Sequence, residues 1–482
     1  MKHEFLIGGL IATLLCGCTV GPNYVRPDVA TPASFRFAVG GSADAANVEW
    51  WSQFGDKTLV NLINTALAQN WDLKAAAARV DQAGAILLEE NAALFPQANY
   101  SALAERARIS ESTGEGALTP NPYSLYEPLI SAGWQLDLWG RIRRQSEAAQ
   151  ANLVGAEEAR RGVVLTLVAA VATTYLRLRA LDAQLAIALE TQSTYGEQLK
   201  LFEDRFKFGQ ISEVTLSQVR AEYETASAAV PQYEQQIGIT ENALSVLIGQ
   251  TPRAIPRGRS FEALQIPRVP SGLPSQLLTR RPDIAQAEAT LIAANADIGA
   301  AEALLYPNVS LTGSAGSASN DLGDLLERPA SAWSIGADLT GPIFNGGSIR
   351  GQILVTKAQK AEAVANYQQT ILNAFREVSD GFVGYSQSQR RLAAENRLVE
   401  AQETTARLAL LTFNEGVDSY TTVLVAQEDL FASRLSAIEA RYDVMASLVA
   451  IYKAMGGGWV DGAAARAPQP GPVPTVIPDK KS

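Results

Sequence analysis

Two stretches decide the reading of this chain: Asp72-Leu73-Lys74-Ala75-Ala76-Ala77-Ala78-Arg79-Val80, running on to Leu94-Phe95-Pro96, and Asp283-Ile284-Ala285-Gln286-Ala287-Glu288-Ala289-Thr290-Leu291, running on to Leu305-Tyr306-Pro307. One spacing, without a gap, pairs Asp72 with Asp283, Ala76 with Ala287, Ala83 with Ala294, Phe95 with Tyr306 and Pro96 with Pro307. A slightly shorter spacing later pairs Phe206 with Phe413 and Gly209 with Gly416, and Trp139 is set against Phe344. Self-similarity at fixed spacing marks a duplicated structural unit. Residues 57–249 form the first unit, 275–455 the second, and the intervening 250–274 carries Pro252, Pro256, Pro267, Pro270 and Pro274, a linker composition.

Each unit has the same order of elements. An Ala-rich helix comes first, Lys57 to Leu94 and Ser275 to Leu305, stopped by a proline. Alternating segments follow: Ile130, Ala132, Trp134, Leu136 and Leu138 in the first unit, then Val309, Leu311, Gly313 and Ala315, and Trp333, Ile335, Ala337 and Leu339 in the second. Period-two alternation predicts strands with one apolar face. Ala98 to Ile109 alternates weakly and is assigned as a strand by symmetry. A very long helix then follows in each unit. Val364, Ile371, Val378, Tyr385, Leu392, Val399, Ala406 and Phe413 recur every seventh residue, as do Val164, Val171, Leu178, Leu185, Leu199 and Phe206 around an interruption at Gln192. This pattern predicts left-handed coiled coils. From Ser348 to Phe413 such a helix is roughly 100 Å long at about 1.5 Å per residue.

Composition narrows the function. Net charge is −10 over 482 residues, against a nucleic-acid partner, which needs clustered Lys and Arg. No run of eighteen apolar residues occurs, and Val163–Leu176, the longest, reads as a packed helix face. Residues 1–17 read as a signal peptide: Lys2, an apolar core from Phe5 to Leu15, then Leu15-Cys16-Gly17-Cys18. The last four resemble a lipobox, which makes Cys18 the lipidated first mature residue, and Thr19 is not the Asp that retains lipoproteins in the inner membrane. Residues 18–56 follow as a lipid-anchored extended segment. With His3 removed, the mature chain holds no His and one Cys, so internal disulfides, His catalysis and His-metal sites are excluded. No enzyme activity, cofactor (beyond the lipid on Cys18) or metal is expected. The tail from Asp461 to Ser482, within residues 456–482, reads as extended or disordered with no functional signal.

Four strands with an apolar face cannot close a barrel, and a bilayer tolerates no open sheet edge, so an oligomer is required. Two copies give eight strands and three give twelve, and strand counting leaves both open. A structural periplasmic lipoprotein remains an alternative, disfavoured by the sided strands.

The chain resembles the TolC-like outer-membrane efflux proteins, in particular the lipoprotein (NodT-type) branch serving resistance-nodulation-division pumps. The resemblance spans nearly all of the mature chain. It rests on Cys18-Thr19-Val20-Gly21-Pro22-Asn23-Tyr24 with Arg26-Pro27, and on Leu136-Asp137-Leu138-Trp139-Gly140-Arg141. Further matches are Gly272-Leu273-Pro274-Ser275 with Arg280-Arg281-Pro282-Asp283-Ile284, Ala243-Leu244 before Leu247-Ile248-Gly249, and Gly456-Gly457-Gly458-Trp459. It implies a mainly α fold with a small β part. Duplicated helix hairpins make an α-barrel tunnel, and a homotrimer contributes four strands per chain to a twelve-stranded outer-membrane barrel. It also implies a periplasmic adaptor and an inner-membrane transporter as partners, outer-membrane lipid as surroundings, and a role as passive exit duct for small molecules. A type I secretion duct shares the fold and is the alternative. On the same resemblance the helix turns are periplasmic tips. Arg205, Phe206, Gly209, Ser212, Glu213, Phe413 and Gly416 then contact the adaptor, and Asp418, in Gly416-Val417-Asp418, rings the closed entrance. Ser212 and Ser419 are expected to N-cap the returning helices.

Overall fold

The structure, a computed structural model, describes residues 19–37, 49–110, 112, 121–267, 269 and 274–476. The signal peptide, Cys18, part of the Pro-rich linker and the last six residues lie outside them.

The first unit begins with α1 (Lys57–Gln69) and α2 (Trp71–Ala92), then β1 (Gln97–Ala107), β2 (Tyr123–Leu136), α3 (Arg141–Lys207) and α4 (Glu213–Leu247). The second repeats the order with α5 (Pro274–Arg280), α6 (Pro282–Ala303), β3 (Asn308–Ser317), β4 (Ser331–Thr340), α7 (Ser348–Asn414) and α8 (Tyr420–Met455); a short α9 (Trp459–Ala464) ends the fold. The long helices α3 and α7 have 67 residues each. Gly140 and Gly347 precede them as left-handed caps. That register sets Trp139 opposite Gly346 rather than Phe344. Trp139 stacks on Tyr306, whereas Phe344 is exposed, so these two aromatics are not equivalent.

The expected single Ala-rich helix is broken in both units. Asn70 ends α1 and its Oδ1 accepts from the amides of Asp72 and Leu73, restarting the chain as α2. Pro282 sits in the first turn of α6, where its missing N–H costs nothing, with Arg281 extended before it. Each break is tied to the far end of its own unit. Asn70 Nδ2 donates to Leu247 O at 3.0 Å, and Arg281 Nη1 donates to Ala454 O at 3.0 Å. Arg281 also pairs with Asp283 at 2.7 Å and Glu377 at 2.8 Å while almost wholly buried. Gly249 and Gly456, both at positive φ, press against these breaks: a Cβ on Gly249 would lie 2.4 Å from Gln69 O.

Nearest the sheet the helices lie side by side in the order α2, α3, α6, α7; toward the hairpins the order is α4, α3, α8, α7. The heptad residues of α7 are buried or half-buried throughout. Gln192, the polar gap in the first seam, donates to Ser227 Oγ of α4 at 3.0 Å. Val163–Leu176 lies in the main core, with Val164, Val168, Val171, Tyr175 and Leu176 buried. That core also takes in Trp50, Trp51 and Phe54, from a 3-10 turn inside the segment expected to be extended, and Trp459. Trp50 stacks on Tyr452 at 5.1 Å between ring centroids.

The C-terminal expectation is corrected. Trp459, Val460, Ala463 and Ala464 share a buried helical face, and Ala467 follows them into the core. Beyond α9 the chain is strapped down. Arg160 donates to Pro468 O at 3.1 Å, and the Gly471 amide donates to Asp81 at 2.6 Å.

β1 to β4 form one antiparallel sheet in that order. Its register sorts the faces. Tyr100, Ile130, Ala315 and Trp333 are cross-strand neighbours, as are Ala98, Ala132, Gly313 and Ile335, then Leu136, Val309 and Leu339. The other face carries Asn99, Ser131, Ser314 and Ser334, then Gln135, Ser310 and Asp338. The apolar face is bare: Tyr100 is 90% exposed, Ile130 65%, Trp333 74%, Ile335 83% and Leu339 70%.

Replacing Arg281 by Ala leaves the Ala454 carbonyl and two carboxylates without their cation. The carboxylates left behind are half-exposed, so we expect a loss of about 1.5–3 kcal/mol, as for hydrogen bonds to a charged group, against about 1 kcal/mol for Asn70→Ala. Guanidinium unfolding of the two variants checks the ranking, and equal losses would contradict it.

Candidate functional site

The two hairpin turns share one backbone solution. Gln210 N bonds Arg205 O and Gly209 N bonds Phe206 O, both at 2.9 Å; Val417 N bonds Thr412 O at 2.9 Å and Gly416 N bonds Phe413 O at 3.0 Å. This is the Schellman pattern, which needs a left-handed residue, and Gly209 (φ 69°) and Gly416 (φ 71°) supply it. Ser212 caps α4 as expected, its Oγ accepting from Thr215 N at 3.2 Å. Ser419 does not cap with its side chain; Thr422 N bonds the Ser419 carbonyl instead, at 3.2 Å, so the orphan amide is satisfied by backbone.

The side chains of the turns differ. Phe206, Gly209, Ser212 and Glu213 are exposed and Arg205 half-buried, its guanidinium 5.5 Å from the Phe202 ring centre. Phe413, the counterpart of Phe206, is turned inward: it lies 6.1 Å from Phe202 and 5.1 Å from Tyr420, centroid to centroid. Phe202 and Tyr420 are 4.3 Å apart, so three rings from α3, α7 and α8 join the hairpins. Gly416 and Asp418 are exposed. The Asp418 carboxylate accepts from Thr412 Oγ1 at 3.4 Å, which holds it over its own turn.

Above these rings Glu222 of α4 faces Tyr195 of α3 and Glu428 of α8. Burial is the main reason its carboxyl is pushed up to about 7; the Tyr195 hydroxyl pulls it back and the Glu428 charge adds to the rise. No sequence signal marks it, since an Ala-Glu-Tyr within a long helix looks like any solvated position.

At the other end, residues after Cys18 strap the foot of the sheet. Val20 N bonds Trp139 O at 3.0 Å. The buried Arg144 donates to Val20 O (3.2 Å), Gly21 O (3.3 Å) and Asn23 Oδ1 (2.9 Å), and Asn295 Nδ2 donates to Pro22 O at 2.8 Å. Arg26 donates to Glu288 at 2.6 Å and to the Tyr367 hydroxyl at 3.3 Å, and burial beside Glu288 pushes the Tyr24 hydroxyl up. The strap's own residues were visible as a motif. Arg144, Glu288, Asn295 and Gly299 were not, being more than a hundred residues away. Cys18 itself lies outside the described residues.

A sheet with a bare apolar face, joined to helices of this length, defines a membrane-inserted protein with a long extramembrane helical body. The comparisons name the class. The family model described as "Outer membrane efflux protein" matches residues 62–250 and 273–457. The solvent efflux pump outer membrane protein SrpC of Pseudomonas putida is 36% identical over 457 residues, covering 92% of this chain and 96% of its own. The cation efflux system protein CusC of Escherichia coli is 32% identical, over 93% of this chain and 97% of its own. The open-state outer membrane channel MtrE of Neisseria gonorrhoeae superposes with a TM-score of 0.83 at 28% identity, over 92% of this chain and 98% of that one. The chain belongs to the outer membrane efflux protein family. It is an outer-membrane channel component with a helical, periplasmic tunnel part.

A Cβ on Gly299 would lie 2.6 Å from Val20 O. Gly299→Ala is therefore expected to lift the strap and open it to chymotrypsin at Tyr24, while Asn295→Ala loosens it less. Equal cleavage of Gly299→Ala and the parent would refute the packing.

Proposed function

We propose that three copies of this chain assemble into one duct through which an inner-membrane resistance-nodulation-division transporter, coupled by a periplasmic adaptor, expels small molecules. The observation that carries this is the alignment of free edges. β1, α2 and α4 lie on one flank of the chain, β4 and α7 on the other, from sheet to tip. A neighbour's β4 beside β1, with its α7 beside α2 and α4, closes sheet and tunnel together. Open edges in lipid leave unpaired backbone groups, each costing several kcal/mol. Three copies follow from the family resemblance and give twelve strands.

Energy comes from the transporter, and the duct is passive. The relatives' names speak of solvent and cation efflux, so the cargo is small and chosen upstream. The apolar rows of the sheet meet outer-membrane lipid, and Cys18, one residue before the strap begins, carries the acyl chains beside that interface.

The exposed turn residues Phe206, Gly209, Ser212 and Glu213, with half-buried Arg205, are the adaptor-facing surface, with Gly416 beside them. Phe413 supports that surface from beneath. A photo-cross-linker at Ser212 or Glu213 should capture a co-expressed adaptor; no capture in an assembled pump would sink the reading.

Three Asp418 carboxylates ring the entrance and favour cations there, an effect that salt screens. Bilayer recordings of Asp418→Ala should show reduced cation preference, most clearly at low salt. Unchanged conductance and selectivity would remove Asp418 from the entrance.

A further inference from the structure

Where the first hairpin leans on the second, a cavity of about 250 Å³ is lined by Tyr195 of α3, Gln218, Glu222 and Thr225 of α4, and Leu424 and Glu428 of α8, among others. Both carboxyl oxygens of Glu222 are shut off from solvent and neither forms a well-aligned hydrogen bond. The titratable groups around it are Tyr195 on α3 and Tyr420 and Glu428 on α8. No lysine or arginine lines the cavity among the described residues. A buried carboxylate without a cation, facing a second carboxylate, is costly. The contact between α4 and α8 is also slight, α3 bridging the two.

We propose that the Glu222 cavity is a proton-operated joint between the hairpins: neutral Glu222 lets α4 close on α8, and ionised Glu222 drives them apart. When neutral, the carboxyl can donate toward Tyr195 or Glu428 and the cavity stays shut. When ionised, repulsion from Glu428 and the demand for water favour a wider spacing. The joint lies within three helical turns of the tips, so its state sets how tightly the tips are held.

The direction in pH follows from linkage. The folded carboxyl holds its proton up to about 7, against 4.5 for an ordinary glutamate. The contact is therefore strongest below 4.5, weakens as pH rises between the two values, and is fully weakened above about 7. The role of this joint at an entrance rests on the proposed function; the joint itself does not.

The test is amide hydrogen exchange of α4, residues 213–230, in the detergent-solubilised full-length oligomer from pH 5 to 8.5, corrected for intrinsic rates. Protection should fall by up to about tenfold per pH unit from pH 5 to about 7 and level off above it, since each pKa unit corresponds to a tenfold change. Glu222→Gln should stay at the acid-side level throughout, and Glu428→Gln should move the step to lower pH. A Glu222→Gln profile matching the parent, or no step in the parent, overturns the joint. A step in exchange without any matching change in bilayer conductance leaves the joint standing and contradicts the tips as entrance.

Discussion

The contact between each unit's helix break and its own last helix is the constraint on which the rest depends. Asn70 holds Leu247 O and Arg281 holds Ala454 O, while Gly249 and Gly456 let the backbones touch. Break and end are separated by most of a unit, including two strands and a hairpin of long helices. Fixing them together turns a chain that runs far out and back in each direction into a closed structural element. The two units solve the problem with different chemistry, a neutral amide in one and a guanidinium with two carboxylates in the other. The second is the stiffer and more costly solution, because Arg281 is buried and its charge is tolerable only while Asp283 and Glu377 remain in place.

A second constraint acts from the sheet. Four strands whose register gathers Tyr100, Ile130, Trp333, Ile335 and Leu339 on one exposed face are unstable in water and incomplete in lipid. Burial in lipid stabilises that face, but only strand pairing removes the edge penalty. The helical body carries the same two flanks downward, so sheet closure and tunnel closure are one event. The strap from Thr19 to Arg26 crosses α3, α6 and α7 near the sheet, tying three neighbouring helices of both units to the residue that follows Cys18.

Much of this was legible in the sequence because it is periodic. Heptads placed the C-terminal ends of α3 and α7 within a residue, alternation marked three of the strands, and duplication supplied β1 and the order. What was missed is aperiodic. The breaks at Asn70 and Arg281–Pro282 interrupt continuous Ala-rich runs, and their signals were single residues: an Asn able to cap and a Pro suited to a first helical turn. The C-terminal segment was misjudged because its composition hid the helical spacing of Trp459, Val460, Ala463 and Ala464. At the tips, the Gly residues announced the reversals correctly. No pattern could reveal that Phe206 points outward and Phe413 inward, since that depends on which hairpin lies over Phe202.

That last difference carries meaning for how a duplicated unit acquires two roles. The turns at Gly209 and Gly416 have the same hydrogen bonds and nearly the same φ, so backbone geometry cannot distinguish them. The distinction lies in the aromatic rings and the charges. The first turn exposes Phe206 and Phe208 on a surface of mixed charge, where Lys207 pairs with Asp204 and Glu213 lies open, a sticky surface suited to a partner. The second withdraws Phe413 into the Phe202–Tyr420 cluster and leaves Glu415 and Asp418 outside with Val417, a surface that is acidic and offers no exposed aromatic anchor at the turn. Hydrophobic anchors dominate binding while exposed carboxylates mainly shape the local potential. That contrast supports the proposed docking role of the first hairpin and the proposed place of the second beside the permeating path, and the Phe202, Phe413 and Tyr420 rings couple the two.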